Sequence, residues 1–108
     1  MVLADAGYAQ RQGLSPMARL RSYAFAGVDP AYMGLGPVPA VRKVLETAGM
    51  GLSDMDMIEL NEAFAAQYIA CERELGNDRS KVNPYGGAIA LGHPVAATGS
   101  KILTTLLY

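Results

Sequence analysis

At 108 residues the chain has the length of one domain built around one core. Apolar residues make up 51% and charged ones 18%, with a net charge of -1 and a pI near 5.7. That balance gives no basic surface for nucleic acid or anionic lipid, so a small molecule or another protein is the expected partner. With one cysteine, Cys71, and one histidine, His93, the chain can form neither an internal disulfide nor a Cys/His zinc site, so no metal is expected. No stretch approaches the ~18 apolar residues of a membrane span, and the sequence reads as soluble and cytoplasmic.

The chain opens on apolar Met1-Val2-Leu3 and closes on Ile102-Leu103-Thr104-Thr105-Leu106-Leu107-Tyr108 without a capping signal. The expectation is a single unit over 1–108, interrupted at both ends. Asp5 to Gln12 predicts a short helix from an Asp N-cap to Gly13. Met17 to Gly27 predicts a strand: Leu20, Ser22, Ala24 and Ala26 alternate with Arg19, Arg21, Tyr23 and Phe25. A turn-rich loop from Asp29 to Gly36 leads to Pro37. From there Val38, Val41, Val44, Leu45 and Ala48 recur at helical spacing up to Gly49.

Met55 to Leu60 has the length and apolarity of a second strand. Phe64, Tyr68, Cys71 and Leu75 share one helical face, which predicts a helix over Glu62 to Leu75 with Asn61 at its N-cap and Cys71 packed in the core. Lys81-Val82-Asn83 starts a third strand, and Pro94 opens a helix running to Tyr108. The alternation implies an α/β fold with parallel strands joined by crossovers. Ligands are then expected at the strands' carboxyl ends, where Asn61 and the Gly86–Gly92 loop both lie.

Gly87-Ala88-Ile89-Ala90-Leu91-Gly92 has the outer spacing of a phosphate-binding P-loop, but His93-Pro94 stands where lysine and Ser/Thr are required. Nucleotide triphosphate chemistry is therefore not expected. A histidine beside a turn is often a capping or packing residue. Just before a helix N-terminus, however, its neutral form is favoured and it can act as a general base. Asn61 taken alone reads as an N-cap; it can serve a site as well only if another group caps the helix.

Three runs carry a family resemblance. Asn61-Glu62-Ala63-Phe64-Ala65 resembles the thiolase NEAF motif, Gly86-Gly87-Ala88-Ile89-Ala90-Leu91-Gly92-His93-Pro94 resembles the GGAIALGHP loop, and Met33-Gly34-Leu35-Gly36-Pro37-Val38-Pro39-Ala40 resembles MGIGPVPA. They stand in the family's order and span nearly the whole chain. The resemblance implies an incomplete C-terminal half of a thiolase-like layered αβαβα fold. It also implies acyl transfer between acyl-CoA thioesters, by Claisen condensation or thiolytic cleavage of 3-oxoacyl-CoA, through an acyl-cysteine intermediate. Coenzyme A would be a substrate and no cofactor would be covalently bound.

By the same resemblance His93 activates a nucleophilic cysteine and, with a water held by Asn61, forms an oxyanion hole, while Met33, Ala63 and Phe64 lie near the pantetheine arm and acyl group. Family members are usually homo-oligomers. The family's nucleophilic cysteine belongs to the N-terminal half and its second catalytic cysteine to a Cys-x-Gly segment, and Cys71 matches neither. The missing N-terminal half is thus an implied partner, and the isolated chain is expected to be inactive. The departure at Val95-Ala96-Ala97-Thr98-Gly99, where the family run often reads Gly-Ala-Ser-Gly after Pro-Ile, leaves acyl-chain preference open. The competing reading is a non-catalytic acyl-CoA-binding or structural module. Asn61 and His93 together speak against it, because binding alone requires no base.

Overall fold

The computed structural model describes all residues from Met1 to Tyr108. Helix α1 spans Ala6–Arg11 and begins where the Asp5 carboxylate accepts the Tyr8 backbone N–H at 2.9 Å. A 3-10 turn over Pro30–Leu35 leads into α2, Pro37–Ala48, with proline in its first turn. Gly49 ends α2 at φ 65°, a left-handed conformation that costs glycine nothing, and Met50 N–H closes the turn on the Leu45 carbonyl at 3.0 Å. Helix α3 is Ala65–Leu75 and stops at Gly76; α4 is the short Ala88–Leu91, and α5 is Thr98–Leu107.

The second and third strand candidates meet in one parallel pairing, Ile58 with Val82. Ile58 N–H donates to the Lys81 carbonyl at 2.9 Å, and Asn83 N–H donates to the Ile58 carbonyl at 2.8 Å. Helix α3 connects the two pieces, so the expected strand–helix–strand order stands, with strand pairing reduced to this single register. The expected strand over Met17–Gly27 does not form. Ser22 and Ala24 are half-buried between exposed Tyr23 and Phe25, which keeps the alternation, but the segment pairs with no neighbour. Alternation specifies which face is covered; a strand also needs a partner for its N–H and C=O groups.

Val38 of α2, Leu60, Cys71 of α3 and Val82 form the core, with Leu35, Ile58, Tyr68 and Leu75 against it. Cys71 is 0% exposed, as its place on the apolar helix face predicts; its thiol donates to the Gly34 carbonyl at 3.2 Å and accepts from the Gln67 side-chain amide at 3.4 Å. Outside this nucleus much apolar surface is open, including Met17, Leu20, Tyr23 and Phe25 of the unpaired segment. No helix is long and apolar enough to cross a membrane.

Candidate active site

Past the Ile58–Val82 pairing the main chains diverge, and a side chain takes over the ladder. The Asn83 amide donates to the Leu60 carbonyl and accepts the Leu60 N–H, both at 2.8 Å. Asn83 does this at φ 48°, a left-handed conformation that asparagine tolerates better than most residues. The same amide nitrogen donates to Glu62 Oε1 at 3.2 Å, and Glu62 Oε2 accepts the Ile89 N–H in the first turn of α4 at 3.0 Å. Glu62 therefore ties the strand end to the glycine loop. Gly87 leaves room for it: a Cβ there would lie 2.2 Å from the Glu62 carboxyl carbon.

This junction corrects the expected start of α3. The helix begins at Ala65 with Phe64 as its cap residue, no side chain caps it, and Asn61-Glu62-Ala63 stays outside it. Long-range bonds hold Glu62, so Asn61 is released from the capping role that local rules assign it. Asn61 instead lines a cavity of about 10 Å3 together with Glu59, Gly86, Gly87, Gly92 and Thr98. That is about the room one water needs. Asn61 Oδ1 and Glu59 Oε1 are both buried without a hydrogen-bond partner. Burial raises the Glu59 carboxyl pKa above its ordinary value, the Glu62 charge adds to the rise, and Lys101 opposes it.

His93 is held by a residue that lines this cavity, Thr98. The expected helix from Pro94 is also shorter than predicted: Pro94 to Ala97 form a turn closed by Ala97 N–H on the Pro94 carbonyl at 2.7 Å, and α5 starts at Thr98. The proline suits a helix start, but the turn consumes the first residues after it. His93 Nδ1 lies 2.7 Å from Thr98 Oγ1, whose hydroxyl donates to the Pro94 carbonyl at 3.0 Å. Lys101 Nζ donates to the Gly92 carbonyl at 2.5 Å. The loop carrying His93 is thus clasped by α5. His93 itself does not line the cavity, although Gly92 and Thr98 do.

Of the other expected site residues, Met33 sits in the 3-10 turn and is 71% exposed, Phe64 caps α3 and is 67% exposed, and Ala63 is half-buried between Asn61 and Phe64. Neither Met33 nor Phe64 belongs to the core that this chain forms. None of the three lines the cavity. Sequence reasoning missed Glu59, Glu62, Asn83 and Thr98. Glu62 lay inside a recognised motif and Thr98 stands where the family run often has serine, whereas Glu59 and Asn83 had no local signal. No group of three or more His, Cys, Asp or Glu side chains converges as a metal site would require.

The family model for the thiolase C-terminal domain matches residues 14–108. The chain is 56% identical over its full length to acetyl-CoA acetyltransferase of Escherichia coli K12, spanning 27% of that protein. It is 60% identical over 93% of its length to the enzyme of the same name from Paracoccus denitrificans, spanning 26% of it. The crystal structure of human mitochondrial 3-ketoacyl-CoA thiolase in complex with CoA superposes on 94% of the chain with a TM-score of 0.92 and 49% identity, and the match covers 26% of that protein. The chain therefore spans about a quarter of the length of the relatives it matches. Its fold is that of part of the C-terminal half of these enzymes, and the chain belongs to the thiolase family.

Proposed function

We propose that these 108 residues supply the asparagine–histidine portion of the active site of an acyltransferase that makes or cleaves a carbon–carbon bond between acyl-CoA thioesters. The observation that carries this reading is Asn61, which lines a water-sized cavity at the carboxyl end of the paired strands and whose buried Oδ1 has no partner. An unsatisfied buried carbonyl costs ~1–3 kcal/mol, a cost without return in a purely structural module. One water in the cavity satisfies it and can donate its second proton to a thioester oxygen. His93 Nε2, which makes no hydrogen bond within the chain, is available to take the proton of a cysteine thiol supplied by the rest of the protein.

In this mechanism the thiolate attacks the thioester carbonyl, and the oxyanion that develops is met by the Asn61-held water and the protonated His93. Such fixed donors stabilise the charge by ~3 kcal/mol each. Collapse of the intermediate expels coenzyme A, which leaves with the proton from His93. Met33, Ala63 and Phe64 lie along the path of the pantetheine arm and acyl group; the exposure of Met33 and Phe64 supports a ligand-facing role. The relatives' names, acetyl-CoA acetyltransferase and 3-ketoacyl-CoA thiolase, support acyl-CoA substrates, and a role in fatty acid metabolism is part of the proposal.

We further propose a cytoplasmic, homo-oligomeric protein in which the open apolar surface around Met17–Phe25 packs against the remainder of the same acyltransferase or a second copy. The test is His93→Ala in the whole acyltransferase, followed by steady-state thiolysis of acetoacetyl-CoA. Turnover should fall by ~10²- to 10⁴-fold with little change in KM for coenzyme A. Unchanged turnover would show that His93 is structural and overturn the reading.

A further inference from the structure

We infer that Thr98 is the positioning residue of this site: its hydroxyl fixes His93 in the tautomer that carries its proton on Nδ1, leaving the Nε2 lone pair aimed at the reacting thiol. The inference rests on the functional reading above and adds a residue to it. Thr98 is the one polar residue buried in the chain, so its hydroxyl proton must be spent on a partner inside the protein. Two partners are in reach, His93 Nδ1 at 2.7 Å and the Pro94 carbonyl at 3.0 Å.

A hydroxyl has one proton to give. The Pro94 carbonyl can only accept, and without a proton between them two oxygens at this separation would face each other lone pair to lone pair. The Thr98 proton therefore goes to Pro94. What remains on Thr98 Oγ1 is acceptor capacity, and only an Nδ1–H on His93 can use it. The neutral imidazole then presents Nε2 as its acceptor, which is the form a general base requires.

Rotation is constrained as well as protonation. Thr98 is the first residue of α5, Lys101 one turn later holds the Gly92 carbonyl at 2.5 Å, and Ala97 N–H holds Pro94 at 2.7 Å. The backbone on both sides of His93 is therefore anchored to the helix that carries the threonine. The threonine's own rotamer is set by its bond to the residue four positions earlier, a bond serine can also make.

The test uses the whole acyltransferase. In Thr98→Val, which keeps shape and removes the hydroxyl, turnover should fall by ~10- to 100-fold while KM for coenzyme A stays within about twofold, and the acid limb of the pH–rate profile should move. Thr98→Ser should restore turnover to within about fivefold of the parent, since the hydroxyl is what matters. Nitrogen-15 NMR of histidine-labelled parent enzyme, with His93 identified by its loss in His93→Ala, should read a protonated Nδ1 and a bare Nε2. This arm needs no Thr98 variant to fold.

A neutral ring protonated on Nε2 would overturn the inference. So would valine matching the parent in turnover and pH profile, or serine failing as badly as valine, provided His93→Ala is crippled in the same assay. If His93→Ala keeps full turnover, the functional reading itself falls, which separates the two failures.

Discussion

Replacing Asn83 with alanine should open the floor of the site, and the structure gives the size of the effect. The side chain holds two main-chain groups of Leu60, a buried residue, and both bonds are 2.8 Å long. Alanine leaves that N–H and C=O without partners, at ~1–3 kcal/mol each, and since Leu60 keeps 9% exposure to water the lower half of that range applies. Holding alanine at the left-handed φ of 48° adds ~1 kcal/mol. The sum is ~3–5 kcal/mol, or roughly a 10²- to 10⁴-fold rise in local opening. Glu62 also loses one of its two tethers, so the disturbance should reach the first turn of α4.

Hydrogen exchange in the whole acyltransferase reads this directly at the Ile58 and Asn83 main-chain N–H groups, whose own acceptors survive the substitution. Asn83→Gly loses the same two bonds but none of the backbone strain, so it should be milder than alanine by ~1 kcal/mol, about fivefold in exchange. Asn83→Asp keeps the acceptor for the Leu60 N–H but sets a second carboxylate against Glu62, and should fall between parent and alanine at neutral pH. Acceleration below tenfold in Asn83→Ala, or glycine no milder than alanine, would refute the claim that this side chain replaces a missing ladder rung.

Two further outcomes test the site and its reach. Because the folded pKa of Glu59 is raised, its contribution to stability is present at acid pH and is lost as pH rises through that folded value; Glu59→Gln should therefore melt higher than the parent at pH 7, with the advantage gone below the ordinary carboxyl value of 4.5. Equal melting differences at both pH values would show that the carboxyl is not desolvated. The isolated chain should show no thiolysis of acetoacetyl-CoA in the presence of coenzyme A, since its one thiol is buried against Gly34 and Gln67. Turnover abolished by Cys71→Ser would contradict this.

Local signals located what local forces determine. Proline at the first turn, apolar residues at helical spacing and a terminal glycine predicted α2 over Pro37–Ala48, because each acts within one or two turns of its own position. The errors share the opposite property. Asn61 satisfies every local rule for an N-cap, but the helix starts later because Glu62 is committed to Asn83 and Ile89, far away in sequence. Pro94 satisfies the rule for a helix start, but Thr98 turns back to bond His93 and donate to Pro94, and the helix begins at the threonine. The Met17–Gly27 segment alternates as a strand should, yet pairing depends on a neighbour that alternation does not encode.

The same distinction governs the site. Asn61 and His93, the proposed site residues, were singled out because they stand in runs that resemble a known family, not by spacing or periodicity. The roles of the groups that decide what they can do have no such signature. Asn83 becomes a ladder rung only where two main chains part, and Thr98 becomes a proton acceptor only because the Pro94 carbonyl takes its hydroxyl hydrogen. Residues that carry chemistry can be recognised by type; residues that aim them are defined by who already holds their protons. The hydrogen bonds over this junction therefore fix what the motifs alone leave open: His93 is held by Thr98, its loop by Lys101, and the strand end beside Asn61 by Asn83 and Glu62.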